Sequence, residues 1–179
     1  MTHPTTDRQA LLDSLLTSTA IGMPTGDAAR MRELLDELVR DWLREAGTDD
    51  DAPAVIDLLR KDFNATVAGK PGPARLEVVR AQVLDRRIRR LGVQTFALGK
   101  QLVDGGVSRD EARSRGEALM KEIDAVASQV RALADAGARA RLGRDLQEAS
   151  MEALYAIEGK AMSLRLNHYA SDAQAPRVS

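Results

Sequence analysis

Three groups of residues have types and spacings that chemistry could use. Glu33, Glu37 and Asp41 recur every four residues, so on a helix they form one acidic stripe. Such a stripe can hold a hard cation or oppose a cationic surface. A di-iron site would need Glu-x-x-His pairs on facing helices, and neither His3 nor His168 stands in one. The stripe therefore reads first as a solvated or partner-facing surface. A carboxylate-lined ligand- or metal-binding bundle is the third of three functional readings.

The second group runs from Gly92 to Gly99-Lys100. A phosphate loop has four residues between its glycines and a Ser or Thr after the lysine to bind the metal. Here there are six, and Gln101 takes the Ser/Thr place. Two glycines seven apart instead mark the close approach of another helix.

The third group, Arg86, Arg87, Arg89 and Arg90, is the densest basic cluster, with Arg80 one to two turns earlier. Guanidinium groups so placed can pair with carboxylates of a neighbouring helix, remain solvated, or neutralise phosphates of a nucleic acid. The first two uses are preferred. No aromatic residue is interleaved for base stacking, and no helix-turn-helix or zinc pattern accompanies the cluster.

Other catalytic chemistries find no footing. Cysteine is absent, which excludes disulfides, thiolate metal sites and cysteine nucleophiles. No G-x-S-x-G or Ser-x-x-Lys stretch occurs. Glu158-Gly159-Lys160-Ala161 has the flavour of a phosphotransfer helix without its histidine. His168, beside Tyr169 at a helix end, suits the last carbonyls better than acid–base work. The expectation is no catalytic residue, no cofactor and no metal, hence no enzyme.

Those residues must be positioned by helices. Ala81, Leu84, Ile88, Leu91, Thr95, Leu98 and Leu102 follow one another at alternating steps of three and four, the a/d seam of a coiled coil. Ala112, Gly116, Leu119, Ile123, Val126, Val130 and Leu133 repeat the pattern. Between them Gly105 or Gly106 can take the left-handed conformation that ends a helix. Ser108 starts the next, with Glu111 completing a capping box. Symmetry about Val107 predicts partners whose numbers sum to 214: Leu102 with Ala112, Leu98 with Gly116, Thr95 with Leu119, Leu91 with Ile123, Ile88 with Val126, Leu84 with Val130, and Ala81 with Leu133. The predicted fold is an all-α helical bundle with a long antiparallel coiled-coil hairpin, about 75–104 and 108–136. Each arm is roughly 40–45 Å long.

Three shorter N-terminal helices precede the hairpin. Thr6 with Gln9 reads as the cap of the first, whose stripe is Leu11, Leu12, Leu15, Leu16 and Ala20. The second, about Asp27 to Ala46, gathers Met31, Leu34, Leu35, Leu38, Trp42 and Leu43 on one side. The third starts at Asp51-Ala52-Pro53 and ends at Ala68-Gly69. Lys70-Pro71-Gly72-Pro73 is the clearest linker. It separates an N-terminal part, 1–70, from the hairpin with its C-terminal helix, 71–170, within one overall structural domain. The last helix, about Arg144 to Asn167, follows a break at Ala136-Gly137-Ala138 and Gly143, and either continues the second arm or folds back. A disordered tail, 171–179, is expected.

Charge is unevenly spread: residues 1–70 carry net −5, residues 71–115 net +5 and residues 116–179 net −1. An acidic N-terminal third beside a basic first arm implies that they pack together, or that the arm offers a basic patch. Aromatics make up only 3% of the chain, so the core must be aliphatic. No apolar run approaches the ~20 residues of a membrane span. The first residues lack the basic start and apolar core of a signal peptide, so the cytoplasm is the expected location.

The function expected from all this is a non-enzymatic interaction, scaffold or adaptor protein acting through exposed faces of a helical hairpin. Arg86, Arg87, Arg89 and Arg90, with the tip residues Asp104, Val107 and Arg109, form the expected partner-binding surface. Another protein or a second copy is the expected partner, and small residues beside the seam (Ala118, Ala125, Ala132) would admit a further helix. Nucleic-acid binding by the basic arm is the alternative.

Overall fold

The computed structural model describes residues 7–161, which are helical without a strand among them. Six helices follow in order: α1 (Arg8–Thr19), α2 (Thr25–Ala46), α3 (Ala52–Val67), α4 (Gly72–Val103), α5 (Arg109–Arg131) and α6 (Ala136–Ile157). The all-helical bundle expected from the hydrophobic periodicity is present. Thr6, Met162, Leu164, His168, Tyr169 and the tail from Ser171 lie outside the described residues. The chain divides into two compact units, the first holding residues up to Arg86 with Leu133–Asp135, the second Arg87–Ala132 with the residues from Ala136 on.

In the first unit, α1 is capped by Asp7, whose carboxylate accepts from the Gln9 amide at 2.9 Å. The cap is thus one residue later than the Thr6 expected. In α2 the i, i+3, i+4 spacing of Met31, Leu34, Leu35, Leu38 and Trp42 puts all five in the core. They pack with Leu11, Leu12 and Leu15 of α1, Ile56, Phe63 and Val67 of α3, and Val79 and Val83 of α4. Trp42 and Phe63 meet edge to face, with centroids 5.7 Å apart at 76°, the arrangement that aromatic quadrupoles favour. Pro53 in the first turn of α3 gives up no hydrogen bond. At the start of α4 the Arg75 guanidinium donates to the Ile21 carbonyl at 2.7 Å.

The second unit contains the hairpin turn. Gly105 takes the left-handed conformation at φ 71°, and the Gly106 amide returns to the Gln101 carbonyl at 2.8 Å. This is the six-to-one closure that stops α4. Ser108 then caps α5, accepting from the Glu111 amide at 3.1 Å.

Two side-chain bonds report the register. Arg87 Nη1 donates to Gln129 Oε1 at 2.8 Å, and Arg115 Nη1 to Gln101 Oε1 at 2.9 Å. All four residues immediately precede an a position of the heptads. A seam whose partners sum to 214 places such flanking residues in pairs that sum to 216, as both of these do. At the tip Leu98 and Ala112 are buried in one cluster with Ala156, and Leu102, Val107 and Leu119 pack against it.

The last helix folds back. α6 packs along α5, and with α4 from Arg87 on these two helices make up the second unit. A Cβ on Gly116 would lie 2.7 Å from Ile157 Cγ1 and 3.2 Å from the Ala153 carbonyl oxygen, so the space beside Gly116 is taken by α6 where the seam pattern expects Leu98. The break between the helices falls at residues 132–135, earlier than the glycines suggested. Within the first unit, Leu133 is buried there and the Ala134 amide donates to Glu77. Gly137 and Gly143 are tolerated inside α6, whose start is held by the burial of Leu142 and Leu146 despite the ~1 kcal/mol that each glycine costs.

Candidate functional site

The arginine cluster is divided by its surroundings. Arg86 is half-buried, and its Nη1 lies 2.5 Å from Glu45 Oε2 of α2. Arg87, also half-buried, is engaged with Gln129. Arg89 is exposed and Arg90 intermediate. Arg86 therefore neutralises part of the acidic second helix, and Arg89 is the exposed member of the cluster.

The tip residues likewise differ among themselves. Asp104 is exposed. Val107 is half-buried and packs on the cluster of Leu98, Ala112 and Ala156, which makes it a plug for the end of the unit. Arg109 is exposed, but its aliphatic stem lies over Gly159, with Cδ 3.3 Å from where a Cβ would stand.

Position along α4 extends the basic cluster in a way its spacing alone conceals. At 3.6 residues per turn, Arg89, Val93, Lys100 and Val103 fall within about a quarter of the helix circumference, opposite Leu91, Thr95, Leu98 and Leu102. Val93 is 68% exposed and Val103 57% exposed, and Arg89 and Lys100 are exposed as well. The outer face of α4 is a mixed cationic and apolar strip ending at the tip. Sequence periodicity identified the inner seam and treated its opposite as solvated. Two valines at positions that gain nothing from burial were the available signal.

The acidic stripe does not gather into a site. Glu33 is exposed and paired with Arg30 at 2.7 Å, and Asp41 is buried and paired with Arg44 at 2.9 Å. Eight residues separate them, about 12 Å along the axis. Among the described residues no cluster of three His, Asp or Glu side chains could hold a metal ion. A neighbouring carboxylate on α2, Asp36, is held by two arginines. Its hydrogen bond from Arg8, with Arg40 as a second partner, holds its carboxyl below the ordinary range against the upward push of partial burial.

One buried polar pair escaped the sequence reading. Thr95 of α4 is fully buried and Glu152 of α6 is 7% exposed. The Thr95 hydroxyl has one proton to give and two acceptors in reach, Glu152 Oε2 at 2.8 Å and the Gly92 carbonyl at 3.1 Å. A carboxylate beside a hydroxyl has the parts of a base and a nucleophile. Full burial of the hydroxyl denies it a substrate, so the pair serves to fix α4 against α6. The single Thr in an aliphatic seam was the clue; its partner could not be read because the packing of α6 was open.

Comparison with protein-family models, with curated proteins and with solved structures finds no match to this chain. No described helix is long and apolar enough to cross a membrane.

Proposed function

We propose that this protein is a non-enzymatic interaction protein, a scaffold or adaptor, whose second unit presents a coiled-coil-like hairpin face to another protein in the cytoplasm. The observation that carries the reading is the exposure of Val93 and Val103 on a cationic helix face, at 68% and 57%. Of the seven large apolar side chains exposed among the described residues, five (Val93, Val103, Met151, Leu154 and Tyr155) belong to the second unit. Grouped apolar exposure marks interaction surfaces, whereas single exposed residues do not.

The strip on α4 has the character of a groove-filling helix: apolar anchors about three turns apart between cations. Its complement is an acidic amphipathic helix, with Arg89, Arg90, Lys100 and Arg109 steering the encounter. Asp104 marks the end of the strip. Arg86 and Arg87 contribute by holding α4 in place through Glu45 and Gln129.

The test is comparative affinity purification with the full chain. Arg89→Glu combined with Val93→Glu and Lys100→Glu is expected to lose the partner that the unmodified chain retains, with helicity unchanged. Retention of the same partner at the same yield would refute the assignment of this face.

A further inference from the structure

The end of α6 turns the chain onto α4. Gly159 takes the left-handed conformation at φ 73°, and the Lys160 amide returns to the Tyr155 carbonyl at 2.8 Å. This is the closure that also stops α4. Ala161 then lies over Gly99, its Cβ 3.8 Å from where a Cβ on that glycine would stand. The chain leaving α6 is thus delivered to the surface of α4.

What it reaches there is one end of a groove. Thr95 pairs with Glu152, and Leu98 shares a cluster with Ala156, so α4 and α6 advance side by side in the same direction. On α4, Gly92, Phe96 and Gly99 fall within about 60° of one another. They lie on the side of Thr95 away from Arg87 and Gln101, which bond to α5. On α6, Met151 and Tyr155 lie on the side of Glu152 away from Ile157 and Ser150, which meet α5. The two sets therefore border one groove. At Gly92 it is open, with nothing among the described residues within 4 Å of an added Cβ. Met151 and Tyr155 are 43% and 38% exposed, and Phe96 is half-buried. A helix face without side chains at two positions admits another segment at close range, and apolar flanks select an apolar one.

The sequence that follows Ala161 has that character: Met162, Leu164 and Leu166 are apolar, and Tyr169 comes after them. We propose that residues 162–169 of this chain dock in the groove between α4 and α6, running from Gly99 toward Gly92. Gly92 is about 10 Å from Gly99 along the helix axis. From Ala161 about three extended or seven helical residues cover that distance, so a residue between 164 and 168 meets Gly92. Weak contacts suffice, because the tether keeps the segment at a high effective concentration. Val93 is about 100° round α4 from Gly92 and stays outside the groove. The partner face and this docking site can therefore fail separately.

The chain has no cysteine, so introduced pairs in the full chain test the proposal. Gly92→Cys is combined in turn with Leu164→Cys, Arg165→Cys, Leu166→Cys, Asn167→Cys and His168→Cys. At least one pair should close a disulfide within the chain on mild oxidation, whereas Val93→Cys with the same partners should close none. Trypsin supplies a second readout. Cleavage after Arg165 should be roughly tenfold faster in Gly92→Glu than in the unmodified chain, because a filled groove leaves the segment open. Gly143→Glu, at an equally open helical glycine of α6, should leave that rate unchanged, and circular dichroism should report the same helicity for both. Disulfides that form only between chains would overturn the proposal and give the groove to a second copy. No disulfide at any of the five positions would also overturn it, as would cleavage after Arg165 that Gly92→Glu does not accelerate.

Discussion

The two units solve the same packing problem with partly different materials. The first fills its core with bulk: Trp42, Phe63, Met31 and a run of leucines, all but completely buried. The second buries only aliphatics such as Leu98, Ile123 and Leu142, brings α5 and α6 close at Gly116, Ala153 and Ala156, and sets one carboxylate–hydroxyl pair between α4 and α6. Bulky interdigitation derives stability from apolar area removed from water. Close backbone approach derives it from contact density and fixes the helices' positions more tightly. The exposed apolar residues follow the same division. They are single in the first unit, at Ile21 and Leu58; in the second Met151, Leu154 and Tyr155 adjoin on α6, and Val93 and Val103 share one face of α4. The unit with the close contact at Gly116 also has most of the exposed large apolar side chains among the described residues.

The contrast breaks first under truncation. Phe63→Ala removes one half of the aromatic contact from a site 2% exposed and should cost ~3–5 kcal/mol in urea unfolding. A smaller loss would mean that the first unit collapses around the gap.

Enlargement should hurt only the second kind of packing. Gly116→Ala would gain ~1 kcal/mol of helix propensity and lose ~1–3 kcal/mol to overpacking against Ile157. The expected net is destabilising, and Ile157→Ala should relieve it. Gly143→Ala is the counterpart, since nothing lies within 4 Å of the added methyl. It should stabilise by up to ~1 kcal/mol, and denaturant midpoints of the two variants should therefore move in opposite directions.

The buried pair sharpens the comparison at smaller scale. Thr95→Val takes a donor from a buried carboxylate and should cost ~1–3 kcal/mol. Glu152→Leu leaves the Thr95 hydroxyl its bond to the Gly92 carbonyl, so its cost should be less. A double-mutant cycle should return a coupling of at least ~0.5 kcal/mol. Additive losses would show that the two side chains act separately.

How far the sequence revealed this follows from which forces it records. The helices and the turn between α4 and α5 were legible because apolar periodicity, the Gly105 turn and the Ser108 cap are local signals that agree with one another. The position of α6 was not, because Gly137 and Gly143 read as breaks by propensity while burial of Leu142 and Leu146 overrides them. Gly116 was recognised as a gap, but a seam pattern cannot say which helix fills it. The basic cluster was visible as composition. That Arg86 is half-buried against Glu45 while Arg89 is exposed needed the orientation of α4. The outer-face valines carry no periodic signature of their own.

Leu58 of the first unit and Val93 of the second are exposed alike, at 63% and 68%, yet only Val93 belongs to a grouped face. Replacing each in turn with a photo-cross-linking residue and irradiating the full chain in cell extract compares the two directly. Position 93 should give a discrete adduct of defined mass and position 58 none. Equal labelling at the two positions, or an adduct from 58 alone, would contradict it.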